Sequence, residues 1–327
     1  MEQTVTAKET KKRISILVPT YNEEENVIPL TEAIVAEFEN SLPQYDYDIT
    51  FIDNCSVDTT REKLEAICAE NPRVKAIFNA RNFGQFNSPY YGICQTTGDC
   101  TIVMCADFQD PIEMIPKLVA EWEKGYKVVC AVKETSKENK MMRFLRTCYY
   151  KTIRKMSTVE QIEHFTGFGL YDRSFVKVMR ELDDPNPFLR GVVAELGFGK
   201  KLLPYEQAQR RAGKTHNNFG TLYDAAMQSF TTYTKTPIRM LTATGAVTMA
   251  GSLASGVVAM ILTMACNGGH KELRNRLAIL AAIGFFGSLN LLGTSLIGEY
   301  LLTMRAKLNK RPLVIEERRI NFKSEGK

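Results

Sequence analysis

The chain has 327 residues, 44% of them hydrophobic, and carries 42 Lys and Arg against 37 Asp and Glu for a formal charge of +5. That length can bury a sizeable core in one or two domains. No stretch interleaves basic and aromatic residues as a nucleic-acid module does, so that class is set aside. The eight cysteines include no C-x-x-C pair, and Cys100, Cys105 and Cys130 lie in apolar runs, which fits reduced thiols better than a disulfide or zinc framework.

From Arg13 onward, short β-rich runs alternate with helical stretches, the pattern of a mostly parallel sheet covered on both faces. The strands are expected at ISILVPTY, YDITFID, VKAIF, TIVMCA and KVVCAV. Helices are expected at NVIPLTEAIVAEF, TTREKLEAICAE and IEMIPKLVAEWEKG, the last stopped by Gly125 as a C-cap. A less regular region follows, from FTGFGLYDRS to AQRRAGKTHNNFG. Residues 219–238 then read as an amphipathic helix at a membrane surface.

Leu241 to Ala265 contains no charged residue, and Leu277 to Met304 carries only Glu299. At about 1.5 Å per residue each run is long enough to cross a hydrocarbon core of about 30 Å, so a two-helix transmembrane hairpin is expected over 239–305. Lys235 and Arg239 precede the first run, and Arg305, Lys307, Lys310 and Arg311 follow the second. With no apolar segment ahead of the first strand, this places both ends, residues 1–218 and the tail 306–327, on the cytoplasmic side of an inner or plasma membrane. The loop residues Lys271, Arg274 and Arg276 weaken the charge bias. Gly251 with Ser255 and Ser252 with Gly256 would let helices approach closely, in keeping with a homo-oligomer. Glu299, near Arg305, is either an interfacial charge pair or a contact to the soluble part.

Ligands of open α/β sheets bind at the carboxyl ends of the strands. Four polar clusters fall there: VPTYNEEEN, FIDNCSVDTT, NARNFGQFNSPYYG and ADFQDPIE. Singly, each reads as an ordinary loop or helix cap; Ser56 or Asp58 can cap the second helix, and Gly84 permits close backbone approach. In this order and spacing the four resemble family 2 glycosyltransferases of the GT-A (Rossmann-like) fold. More narrowly they resemble the polyprenyl-phosphate glycosyltransferases, a likeness continued by GFGLYDRS, FLRGVVAELGF, RRAGKT, LIGEYL and KRP.

The resemblance implies transfer, with inversion, from a nucleotide diphosphate sugar to polyprenyl phosphate, with UDP-sugars favoured over GDP-sugars. It implies nucleotide-sugar contacts from Pro19, Tyr21, Glu23, Asp53, Asn82, Gly84, Arg210 and Lys214, with Asp53 on the base or ribose. Asp107 and Gln109 would hold Mg²⁺ or Mn²⁺ across the two phosphates, a task suited to hard oxygen donors. Asp107 and Asp110 are the implied catalytic carboxylates, with Asp110 near the sugar. Lys133 and Arg143 would gather the acceptor phosphate, an anion that is nucleophilic without a base. Four positions depart from the pattern: Cys105 and Asn54 stand where Asp is common, Gly169 where Arg is common, and His216 where Lys is frequent. Cys105 is expected to be a buried strand-end residue. Two rivals stay open: a saccharide or teichoic acid acceptor, and a catalytically silent membrane scaffold, the latter motivated by Cys105 and Asn54.

Overall fold

The computed structural model describes residues 11–134, 162–182, 184, 187–211 and 312–322, together with scattered helical positions from 244 to 304. The main unit takes in residues 1–150, 160–219 and 309–327; the second, residues 151–159 and 220–308, is described only at those helical positions.

In chain order the main unit contains β1 (Arg13–Thr20), α1 (Val27–Ser41), β2 (Asp46–Asp53), α2 (Thr60–Glu70), β3 (Val74–Asn79), α3 (Gly84–Gln95), β4 (Cys100–Val103) and α4 (Met114–Glu123). It continues with β5 (Val128–Lys133), β6 (Phe165–Asp172), α5 (Arg173–Leu182), α6 (Leu189–Glu195), β7 (Lys200–Tyr205) and β8 (Glu316–Ile320). All eight strands form one sheet in the order β7-β5-β6-β4-β1-β2-β3-β8. β1 pairs in parallel with β2 and β4, β2 with β3, and β5 with β7, whereas β6 is antiparallel to both its neighbours and β8 is antiparallel to β3. This is the α/β, mostly parallel sheet that the sequence leads one to expect.

Both faces of the sheet are covered, and the period of two along the strands divides the core accordingly. Ile14, Ile16 and Val18 of β1 pack with Leu30, Ile34 and Phe38 of α1 and with α2 and α4. Leu17 points the other way, toward Tyr90 and Ile93 of α3 and Phe175 of α5. α1 is held by a buried stripe at helical spacing, Val27, Leu30, Thr31, Ile34 and Phe38. Each large apolar side chain so buried contributes about 1.5–3 kcal/mol. On the opposite face, a methyl group at Gly92 would meet Leu17 Cδ1 at 2.8 Å, so a side chain there would force Leu17 to shift.

β1 lies between β2 and β4: the chain moves outward through β2 and β3, then crosses to the other flank of β1 as β4. That reversal opens a crevice at the carboxyl ends of β1 and β4.

The structure departs from the sequence reading in several places. β4 stops at Val103, short of Ala106, because the chain turns out of the sheet after Met104. Cys105, expected to be buried, is therefore exposed. The NFGQFNSPYYG stretch carries α3, and the less regular region supplies β6 and β7. The segment after residue 306 returns to the sheet as β8. Among the described residues no helix is long and apolar enough to cross a membrane. Most of the expected first span and much of the second lie outside the described residues, as do the 219–238 helix, Arg143, Lys214, His216 and Glu299.

Candidate functional site

At the carboxyl ends of β1 and β2 the two following loops are stitched to each other. Asn22 N–H donates to Ser56 Oγ at 2.8 Å, Val57 N–H to Asn22 Oδ1 at 2.9 Å, and Glu23 N–H to Thr60 Oγ1 at 2.9 Å. Glu23 also accepts from Asn26 Nδ2 at 2.6 Å, so its carboxylate serves the start of α1. Pro19 lies within β1, in register with Ile52, and half-buried Tyr21 follows the strand. Asp58 accepts from Thr60 N–H at 3.0 Å, but Thr59 holds the N-cap position of α2 and makes no side-chain cap bond, and Ser56 bonds back to Asp53, so neither expected residue is the N-cap.

Asp53, expected to meet a base or ribose, is fully buried. Its carboxylate accepts from Ser56 N–H at 3.1 Å, from the Ser56 hydroxyl, and from Arg61 Nε at 2.8 Å. It shapes the loop that follows it.

Asn54 explains its own departure from Asp. Its Nδ2 donates to Asn82 Oδ1 at 2.9 Å and to the Gly84 carbonyl at 3.2 Å; its Oδ1 accepts from Asn79 Nδ2 at 3.1 Å and Phe83 N–H at 2.9 Å. A carboxylate could fill only half of these roles. Asn82 and Gly84, both expected at the site, are thus gathered into one loop clamp, with Gly84 N–H on Asn82 Oδ1 at 2.8 Å. Gly84 has φ +90°, and a Cβ placed on it would meet no protein atom within 4 Å, so the backbone conformation calls for glycine there and the space beside it is open.

After β4 the chain forms a tight acidic turn. Phe108 sits at φ 60°, and Gln109 N–H donates to Asp107 Oδ1 at 3.1 Å. Asp107 Oδ2 lies 2.9 Å from the guanidinium of Arg210, and Arg211 N–H reaches the Asp107 carbonyl at 3.3 Å. Two expected site residues from distant segments, Asp107 and Arg210, are therefore in contact. Asp110 is buried, and its two oxygens accept from Cys105 N–H at 2.9 Å and Tyr205 Oη–H at 3.1 Å. Burial raises its pKa above the usual carboxylate value. The side chain clasps the turn to β7. Although Cys105 reaches solvent, its thiol is crowded by protein atoms, and that crowding, then the charges of Asp110 and Asp107, holds it well above its ordinary pKa, which disfavours a thiolate ligand.

Lys133 ends β5, and its ammonium donates to Gln207 Oε1 at 2.8 Å. Gly169 also has a physical reason: a Cβ there would lie 2.3 Å from the Val129 carbonyl oxygen, so the approach of β5 to β6 excludes an arginine.

Four of the five described non-glycine residues with positive φ lie at this end of the sheet, in the loops after β1 (Asn22), β2 (Cys55) and β4 (Phe108) and directly before β6 (His164); the fifth, Asn321, follows β8 at the other end. Strained backbone of this kind gathers where a structure holds side chains for a ligand. Among the described residues no group of three or more His, Cys, Asp and Glu converges as a metal cage. Asp107 and Gln109 offer hard oxygen donors, a set that suits Mg²⁺ or Mn²⁺ when substrate phosphates and water complete the shell. Sequence reading gave Ser56 only as a possible helix cap and missed Arg61, Asn79 and Tyr205, none of which carries a local signal; only the fold brings them to the strand ends.

Residues 15–179, half of the chain, match the family described as Glycosyl transferase family 2, and the protein is a glycosyltransferase. The chain belongs to that family. It is 31% identical to a "Prophage bactoprenol glucosyl transferase homolog" of Escherichia coli K12 over 94% of this chain and 99% of the relative. It is also 31% identical to a "Bactoprenol glucosyl transferase" of Shigella phage SfX over 92% and 97%. Among solved structures, a mannosyltransferase from Pyrobaculum calidifontis in complex with GDP-Man and Mn²⁺ aligns over 93% of this chain and 89% of its own at TM-score 0.46 and 14% identity, a likeness too loose for residue-by-residue comparison.

Proposed function

We propose that this glycosyltransferase moves a sugar, with glucose the first candidate, from a nucleotide diphosphate sugar to polyprenyl phosphate, with inversion at the anomeric carbon. The single observation that carries the reading is the 31% identity to a relative named for bactoprenol glucosyl transfer over 99% of that relative, a span that includes both apolar runs as well as the strand-end loops. The proposal places residues 1–218 at the cytoplasmic face and 241–265 and 277–304 in the membrane. Support comes from Ile279, Ile283, Phe285, Ile297, Leu301 and Met304, helical positions that are all exposed, as lipid-facing side chains would be.

In this reading Arg210 and Lys214 hold the diphosphate, Lys133 and Arg143 hold the lipid phosphate, and Asp107 and Gln109 hold the divalent cation. When bound, Mg²⁺ or Mn²⁺ supplies Lewis-acid neutralisation of the leaving diphosphate. Asp110 keeps the 105–110 turn in place, and Asn54 fixes the Asn82–Gly84 loop. An acceptor that is already anionic needs no general base, so the chain's task is to bring two anions together against their repulsion, which cationic side chains do.

The test is to incubate the purified full-length chain with undecaprenyl phosphate, Mn²⁺ or Mg²⁺, and a panel of UDP- and GDP-sugars led by UDP-glucose. Nucleotide release that depends on the lipid phosphate is expected. Release from none of the donors would sink the proposal.

A further inference from the structure

Arg61, the second residue of α2, belongs to none of the motifs that point to the family, yet its guanidinium serves three strands. Nε donates to Asp53 Oδ2 at 2.8 Å, one terminal nitrogen donates to the Asn79 carbonyl at 2.8 Å, and the other lies 3.0 Å from Glu317 Oε2. These partners end β2, end β3 and lie within β8. The group also sits 5.4 Å from the centroid of the Phe78 ring. A planar fork of five donors can hold three partners in different directions, which a lysine ammonium on a flexible stem does less rigidly.

The contacts continue past Asp53. Its carboxylate holds Ser56 through both N–H and hydroxyl, and Ser56 Oγ receives Asn22 N–H at 2.8 Å. A line of hydrogen bonds thus runs from Glu317 through Arg61, Asp53 and Ser56 to Asn22, linking the last strand to the loops after β1 and β2. β8 is itself anchored: Ala80 N–H donates to the Ile315 carbonyl at 3.0 Å, Tyr91 Oη–H to Glu316 at 2.9 Å, and Asn321 Nδ2 to the carbonyls of Cys68 and Val74 at 2.7 and 2.8 Å.

We propose that Arg61 is a positioning residue of the nucleotide-sugar site, through which strand β8 sets the geometry of the loops after β1 and β2. This rests on the reading that those loops receive the nucleotide. Residues encoded after the second apolar run thereby tune donor affinity without touching the donor.

The experiment compares the full-length chain with Glu317→Gln, Arg61→Lys and a control, Glu65→Gln. Glu65 pairs with Arg318 on the same outer surface but lies outside the line of bonds. Two quantities are read: affinity for UDP and GDP in the presence of Mn²⁺, and hydrogen exchange of the amides of residues 54–58. Glu317→Gln is expected to weaken nucleotide binding about two- to fivefold, the range for a half-exposed ion pair, and Arg61→Lys about tenfold or more. In both, exchange of 54–58 speeds up, and the donor KM rises while kcat at saturating donor is retained. Glu65→Gln changes neither quantity. Unchanged affinity and unchanged exchange in Glu317→Gln would overturn the coupling. A wild-type chain that binds neither nucleotide would overturn the functional reading and the nucleotide role of Arg61 together, while the exchange comparison still decides whether β8 holds the loop.

Discussion

The guanidinium of Arg210, beyond β7, lies 2.9 Å from Asp107 Oδ2, beyond β4, with their side chains 27% and 6% exposed. The pair sets a competition. A divalent cation at Asp107 must take an oxygen that Arg210 already occupies, so donor diphosphate, which attracts both cations, is expected to be needed before metal binds well. Arg210→Met should therefore raise Mn²⁺ affinity of the nucleotide-free chain by about tenfold, since a cation within about 4 Å disfavours a second one by about 1–2 kcal/mol. The same change should weaken UDP binding. Manganese titration with and without UDP checks both signs, and a fall in both affinities would rule the competition out.

Asn54 donates twice and accepts twice within one loop clamp. Asn54→Asp, although it would match the commoner family residue, turns carboxylate oxygen toward the oxygens of Asn82 and Gly84 in place of two N–H donors. We expect a loss of about 1–3 kcal/mol in stability from the two lost N–H donors and a carboxylate set against two oxygens, and a weaker donor affinity. Urea unfolding of the two proteins measures the first; equal midpoints would show that the loop re-forms around the carboxylate.

Gly169 tests the packing of β6. Gly169→Ala puts a Cβ 2.3 Å from the Val129 carbonyl oxygen, a backbone atom that cannot rotate away. Separating β5 from β6 should cost at least about 2–3 kcal/mol. A thermal melt that matches the parent chain would contradict this.

Asp172 predicts a pH dependence at the end of the sheet away from the site. Burial alone would raise its pKa, but hydrogen bonds from Ser174, Trp122 and Lys127 outweigh it and leave the carboxyl below its usual value. A carboxylate depressed by folding contributes stability above its unfolded pKa of about 3.9, and that contribution is lost as pH falls through the lower folded value. Asp172→Asn should therefore be less stable at neutral pH by about 1–3 kcal/mol, with the gap closing in acid. Trp122, the chain's single tryptophan, donates to Asp172 Oδ2 at 2.7 Å, so its fluorescence reports this contact during unfolding. A gap that stays constant from neutral pH into acid would refute the assignment.

How much is readable in the sequence depends on what each segment answers to. β1, β2, β3 and β5 are β-branched apolar runs bounded by turn residues, and they form within a residue or so of the expected limits. α3 begins Gly-Gln-Phe-Asn-Ser-Pro, which has the composition of a loop, and becomes helical by burying Tyr90 and Ile93 against the sheet. β6 holds two glycines that argue against a strand, and one of them is required by the closeness of β5. At the site, Asp107 and Arg210 are both expected and do meet. Asp53, expected to contact a base or ribose, is held by Arg61, a partner the sequence does not announce because an ion pair between a helix and a strand end leaves no trace in local spacing.

β7 and β8 are the two outer strands of the sheet. With seven strand spacings of about 4.8 Å between them, the chain leaves one edge and re-enters at the other, about 34 Å away. In synthesis, seven strands emerge before the apolar runs and the eighth emerges after them. The edge formed by β8 can close only once both runs have left the ribosome, so this strand joins the sheet after the apolar segments have been made.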